Sequence, residues 1–214
     1  MHEPTFAAKL QTYSFSNDDR IFVAPGWQEL HALTFAVAQQ IYTQKQQFDR
    51  VVTLAKGGWP MSRSLADFLE VGEVQSLGIS FYTGVDQRKP HPIVYQDLPI
   101  DIAGETILLF DDVADTGESL EFATNYLYER GAHQVTTAAI FYKERSKLTP
   151  DYFAAQVAEW IVFPYELVET LRLVGTDWLA AGIDPEEITE RFEALQFDRE
   201  QVLYFINTLL LSEV

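Results

Sequence analysis

Three carboxylates lie within five residues: the adjacent pair Asp111-Asp112, then Asp115. The third belongs to a run of small and polar residues, Ala114-Asp115-Thr116-Gly117-Glu118-Ser119. An adjacent acidic pair repels phosphate, but it accepts hydrogen bonds from sugar hydroxyls and supplies oxygen ligands to Mg²⁺. A tight turn that opens a helix does the reverse. Its free backbone N–H groups and positive dipole end suit a phosphate, and the hydroxyls of Thr116 and Ser119 add donors. One short segment therefore suits a group with hydroxyls at one end and a phosphate at the other, a ribose 5-phosphate.

That chemistry requires the loop to sit at the carboxyl edge of a parallel sheet, where α/β proteins bind their ligands. The four apolar residues Ile107–Phe110 predict a strand buried on both faces that ends at the acidic pair. A helical pattern runs from Leu120 to Arg130 and stops at Gly131. Helices are expected over Trp27–Tyr42 and Met61–Leu69, and strands over Arg50–Ala55, Leu77–Tyr82 and Gln134–Tyr142. The alternation predicts an α/β doubly wound, mostly parallel sheet. The stretch to Asn17 suits an edge strand or an arm. Residues 83–99, with Gly84, Pro90, Pro92 and Pro99, predict a long loop or a hairpin. From about Leu171 the chain turns acidic and predicts helical pieces broken at Gly175, Gly182 and Pro185, with Asp184-Pro185-Glu186-Glu187 as a helix start.

Two further constellations stand near strand ends. Lys56-Gly57-Gly58 follows Arg50–Ala55; glycines let backbone approach an anion and the lysine adds charge, although a Lys-Gly-Gly turn is common. Downstream, Lys143 follows the strand Gln134–Tyr142, and Trp160-Ile161 lies within a later aromatic stretch. Alone, Lys143 reads as a solvated cation and Trp160 as a core residue. No Gly-x-x-x-x-Gly-Lys-Ser/Thr loop and no Gly-x-Gly-x-x-Gly after a strand is present.

The run ILLFDDVADTGESL (107–120) resembles the signature of the type I phosphoribosyltransferases, the loop that holds phosphoribosyl pyrophosphate (PRPP). The resemblance spans roughly Trp27 to Glu166. It implies that Asp111 and Asp112 hold the ribose hydroxyls or Mg²⁺, directly or through water, and that Ala114–Ser119 cradles the 5′-phosphate. Asp115 would bond purine N7 as general base. Lys56, Gly57 and Gly58 would form the pyrophosphate loop, with a non-proline cis bond at Lys56–Gly57; many relatives carry Arg in place of Lys56. Residues 143–166 are similar to the hood of 6-oxopurine enzymes, particularly the xanthine-guanine type and its compact archaeal-type relatives. By that similarity Lys143 meets the 6-oxygen, Trp160 stacks on the base, and the backbone at Ile161 faces the 2-position. The implied domains are 1–170, a phosphoribosyltransferase domain with its hood, and 171–214, an acidic helical extension. The implied reaction is Mg²⁺-dependent transfer of ribose 5-phosphate from PRPP to guanine, xanthine or hypoxanthine, in purine salvage, by a homo-oligomer. Residues 83–99 would close as a lid, with Tyr82 and Arg88 in or near it.

Composition bounds these readings. With 214 residues, 47% of them hydrophobic, the chain can fill an α/β core. A net charge of −17 argues against binding a nucleic-acid backbone, which needs clustered Lys and Arg. It also makes the few cations between Lys56 and Lys147 informative, because PRPP is strongly anionic. Cysteine is absent, which removes thiolate chemistry. Neither a secretory pattern at Met1-His2-Glu3-Pro4 nor a membrane-spanning run of about 18 apolar residues is apparent, so a cytoplasmic protein is expected. Two rivals remain open: a non-catalytic sensor of PRPP or nucleotides on the same fold, and a phosphoribosyltransferase for another base.

Overall fold

Runs of consecutive apolar residues form the central strands, as burial on both faces requires. The computed structural model describes residues 10–82 and 91–210. Its six-stranded sheet contains β3 (Arg50–Ala55), β4 (Val74–Tyr82), β5 (His91–Gln96), β6 (Thr106–Ala114), β7 (Gln134–Tyr142) and β8 (Tyr152–Gln156). The order is β5-β4-β3-β6-β7-β8, parallel throughout except for β5, which runs antiparallel to β4. The expected doubly wound, mostly parallel sheet is present. Pro92 lies within β5, where an edge strand tolerates the missing N–H, so part of the proline-containing stretch is ladder rather than loop. Residues 83–90, including Arg88 and most of the expected lid, lie outside the described residues.

Helix α1 (Trp27–Thr43) leads into β3, α2 (Trp59–Phe68) links β3 to β4, and α3 (Glu118–Glu129) links β6 to β7. In α1 the residues Leu30, Leu33, Val37 and Ile41 are buried at helical spacing, whereas Phe35 falls off that stripe and is exposed. Val52, Leu54, Leu77, Ile107, Leu109, Leu120, Ala123 and Leu127 share one core across β3, β4, β6 and α3.

The chain clusters into two units, 30–158 and 10–29 with 159–210, among the described residues. The change of character near Leu171 therefore falls inside the second unit. That unit contains a small sheet of order β1-β2-β9, from Thr12–Ser14, Ile21–Val23 and Trp160–Ile161. Its helices are α4 (Leu167–Thr170), α5 (Thr176–Ala180), α6 (Pro185–Ala194) and α7 (Arg199–Phe205), with π-type turns at Leu171–Gly175 and Ile206–Leu210. Gly175 does not break the helix, contrary to expectation. It is right-handed helical, and a β-carbon there would lie 3.2 Å from Leu210 and 3.3 Å from Leu171, so its smallness serves packing. Gly182, at φ +81°, does end α5, and the Asp184 carboxylate caps α6 by accepting from the Glu186 N–H at 2.9 Å. Phe22, Ala24 and Val162 share a core with Leu171, Val174, Trp178, Ile188, Phe192 and Val202.

Candidate active site

β6 carries the acidic pair. Its register with β3 ends at Thr53–Phe110, but its ladder with β7 continues through Asp111–Ala139 to Ala114–Tyr142. The strand thus passes through the pair instead of stopping before it, because one paired neighbour is enough to keep the backbone extended. The two residues stay in contact: the Asp112 N–H donates to Asp111 Oδ1 at 3.0 Å. Asp112 is buried and Asp111 half-buried. Burial first, and then repulsion from Asp112, pushes the Asp111 carboxyl well above the ordinary carboxylate range; backbone bonds from Asp112 and Gly58 work the other way. Such a pair suits hydroxyl donors or a cation.

The Lys56-Gly57-Gly58 turn lies against this pair. A β-carbon on Gly57 would stand 2.5 Å from Asp112 Oδ2, and one on Gly58 would overlap Thr53 Oγ1 and come within 2.9 Å of the Phe110 carbonyl. Only glycine allows that approach. The non-proline cis bond joins Ala55 to Lys56, one residue earlier than expected. The backbone of Lys56 accepts from the Trp59 N–H at 3.1 Å as α2 begins, and its side chain is exposed.

Past the strand, Gly117 takes the left-handed conformation, φ +78°, and α3 starts at Glu118, two residues before the predicted Leu120. Glu118 and Ser119 are thus first-turn residues whose N–H groups lack partners within the helix. Thr116 Oγ1 accepts from the Glu118 N–H at 3.3 Å.

Residues 143–148 fold back onto this loop. The Lys143 N–H donates to the Ala114 carbonyl at 3.1 Å, and the Lys147 N–H to the Thr116 carbonyl at 2.9 Å. Ser146 Oγ and the Leu148 N–H crowd the position a β-carbon on Gly117 would take, so Gly117 serves this contact as well as the turn. Charges follow the backbone. Lys147 Nζ meets Glu118 Oε1 at 2.6 Å, and Arg145 grips Asp115 with Nε on Oδ1 and Nη2 on Oδ2, both 2.7 Å. Lys143 Nζ stands 3.6 Å from Asp115 Oδ1 with a side chain only 12% exposed. Lys143 is therefore not the freely solvated cation that it resembles in the sequence.

Asp111, Asp112, Asp115, the 114–119 loop, Lys56–Gly58 and Lys143 all belong to the first unit; Trp160 and Ile161 belong to the second. Trp160 is 42% exposed, with the Arg20 guanidinium 5.9 Å from its ring centroid, so it is not a core residue. Ile161 is buried and pairs with Val23, and the next N–H, of Val162, donates to the Val23 carbonyl at 2.8 Å. Sequence reasoning assigned no role to Arg145 or Arg20. Asp115 lies 30 residues from Arg145 and the Trp160 ring 140 from Arg20, and only the charge scarcity around an anionic site singled out the neighbourhood of Arg145. Among the described residues no group of three or more His, Asp or Glu converges, and no helix is long and apolar enough to cross a membrane.

Comparison with known proteins identifies the family. The phosphoribosyl transferase domain model matches residues 26–169. A xanthine-guanine phosphoribosyltransferase of Nitratidesulfovibrio vulgaris is 27% identical over 142 residues, covering 65% of this chain and 82% of its own. The corresponding enzyme of Idiomarina loihiensis is 27% identical over 143 residues, covering 66% and 84%. Among solved structures, a purine phosphoribosyltransferase from Pyrococcus horikoshii superposes with a TM-score of 0.62 at 26% identity, over 67% of this chain and 93% of its own.

Proposed function

Because this chain belongs to the phosphoribosyl transferase domain family of enzymes, on the type I fold, we propose that it transfers ribose 5-phosphate from PRPP to a 6-oxopurine, guanine, xanthine or hypoxanthine, releasing pyrophosphate, in purine salvage. One observation carries the reading. The acidic pair on β6, the glycine turn pressed against Asp112 and the loop opening α3 form one continuous cradle at the carboxyl edge of the sheet. The named relatives motivate the purine acceptor.

Each part of the cradle has a task in such a transfer. Cleavage at the anomeric carbon builds positive charge on the ribose and negative charge on the departing pyrophosphate. Asp111 and Asp112 accept from the ribose hydroxyls. The backbone N–H groups at the start of α3 hold the 5′-phosphate. Lys56 and the backbone of Gly57 and Gly58 face the pyrophosphate, aiming charge where charge develops. Asp115 accepts the proton at purine N7. Lys143 donates to the 6-oxygen, Trp160 stacks on the base, and the backbone at Ile161 faces the 2-position.

The donor set also fits Mg²⁺, which is usually held by one or two carboxylates together with substrate phosphates. Asp111 and Asp112 would supply those carboxylates, and the ion, when bound, offsets charge on the leaving pyrophosphate.

Pyrophosphate release, followed with PRPP and a panel of guanine, xanthine, hypoxanthine, adenine, uracil and orotate, tests the proposal. Turnover with the oxopurines above the other bases is expected. Turnover only with uracil, orotate or adenine would reassign the acceptor, and PRPP binding without turnover on any base would favour a sensor.

A further inference from the structure

We propose that Arg145 is a positioning residue for the phosphoribosyl transfer, fixing the Asp115 carboxylate in the orientation from which it takes the purine proton; this rests on the reading of Asp115 given above. The guanidinium meets Asp115 through two separate nitrogens, each 2.7 Å from a different carboxylate oxygen. A planar fork of this kind sets both the position and the plane of the carboxylate, which a single point charge does not. Lys143 Nζ, 3.6 Å from Oδ1, adds charge without the same directional control.

The fork leaves Asp115 able to act. A carboxylate has about four lone-pair sites; the guanidinium takes one on Oδ2 and crowds Oδ1 with both Nε and Nη2. The remaining pair on Oδ2 can still accept from an N–H of the base. Arg145 thus plays the part of the third group behind a general base, the group that orients the base and does not touch the reacting atoms.

The position of Arg145 also argues against a role in holding the fold. Its side chain is 64% exposed. The docking of its loop is carried by other atoms: the N–H groups of Lys143 and Lys147, the Ser146 hydroxyl on the Leu148 carbonyl at 2.7 Å, and the Lys147–Glu118 pair. The loop therefore has its own anchors, and the guanidinium is available to Asp115.

The experiment is a double-mutant cycle on kcat and on the KM for PRPP, with Arg145→Ala, Arg145→Lys, Asp115→Asn and the double variant Arg145→Ala/Asp115→Asn. A misplacement of about 1 Å at a reacting group can cost on the order of 10²-fold, so Arg145→Ala is expected to lower kcat by about 10- to 100-fold with the KM for PRPP nearly unchanged. Arg145→Lys should recover only part of that loss. In the Asp115→Asn background the Arg145 substitution should cost little more, because the group it orients is already gone. If Asp115→Asn is impaired while Arg145→Ala keeps near-normal kcat, or if the two losses multiply in the double variant, the positioning role is overturned and the reading of Asp115 stands. If Asp115→Asn itself turns over normally, the reading of Asp115 fails, and the positioning role with it. Thermal unfolding of each variant, expected to match the parent, separates a loss of orientation from a loss of fold.

Discussion

A β-carbon on Gly57 would lie 2.5 Å from one carboxylate oxygen of Asp112 and 2.6 Å from the other. The backbone of the Lys56-Gly57-Gly58 turn thus rests directly on the Asp112 carboxylate.

Gly57→Ala should therefore push the Asp112 carboxylate out of place. Overpacking of this kind typically costs about 1–3 kcal/mol of stability. The larger effect is expected on PRPP binding, measured by calorimetry with Mg²⁺ present, which should weaken by at least about tenfold on the scale of one displaced polar contact. Gly72→Ala is the control. Nothing lies within 4 Å of a β-carbon there and its φ is ordinary, so affinity should be unchanged. Equal affinity in both variants would disconnect the turn from the ligand.

Asp115→Asn keeps the shape of the side chain and removes its capacity to take a proton. Loss of a general base costs about 10²–10⁴-fold in rate. We expect kcat to fall within that range while the dissociation constant for PRPP changes little. Near-normal turnover would remove Asp115 from the mechanism.

Lys143→Ala and Trp160→Ala should separate the two halves of base recognition. A site built around a donor to the 6-oxygen discriminates by about 10⁴–10⁵ when that donor is well buried. Lys143→Ala is expected to reduce kcat/KM for hypoxanthine and guanine strongly and to narrow their margin over adenine. Trp160→Ala should weaken all bases to a similar degree, because stacking ignores the exocyclic groups. A parent enzyme that prefers adenine would contradict the assignment of Lys143.

Acid stability should depend on Asp18. Burial acts to raise its carboxyl, but bonds from the Arg20 side chain, the Arg20 N–H and the Trp178 indole outweigh it, so the net direction is below the ordinary value. The indole Nε1 donates to Asp18 Oδ2 at 2.7 Å. A pKa depressed in the folded state adds stability above the unfolded value, about 3.9, and loses it as pH falls through the folded value. Asp18→Asn should therefore be less stable than the parent at pH 7 and pH 5, with the gap shrinking below about pH 4. Urea unfolding followed by tryptophan fluorescence measures it; a gap as large at pH 3 as at pH 7 would rule out this role for ionised Asp18.

Much of the frame was readable from residue order because the central strands are nearly continuous apolar runs. Arg50–Ala55 and Gln134–Tyr142 have the expected limits, and α1 differs from expectation by one residue at its end. Asp111 and Asp112 mark the ligand edge because carboxylates so close to a buried strand need a reason. What escaped depends on distant partners. β6 continues through its acidic pair because β7 supplies a ladder. Gly175 stays helical because Leu210 and Leu171 close over it. Arg145 looks like one more cation in a charged loop until that loop folds back on Asp115. Residue types announce chemistry locally, whereas the group that orients the chemistry is set by tertiary contact.

The shared core of the second unit has a consequence for where this chain can be cut. Burying Leu171, Val174, Trp178 and Phe192 is worth about 1.5–3 kcal/mol per side chain, a sum comparable to the whole stability of a typical domain, about 5–15 kcal/mol. Those residues cover Phe22 on β2, and β2 is the strand on which Trp160 and Ile161 are hung. A truncation at Leu171, the expected start of the acidic helical extension, would strip the lining from the ledge proposed for the purine. The acidic helices are the foundation of that ledge, so the proposed seat of the base depends on side chains that lie beneath it.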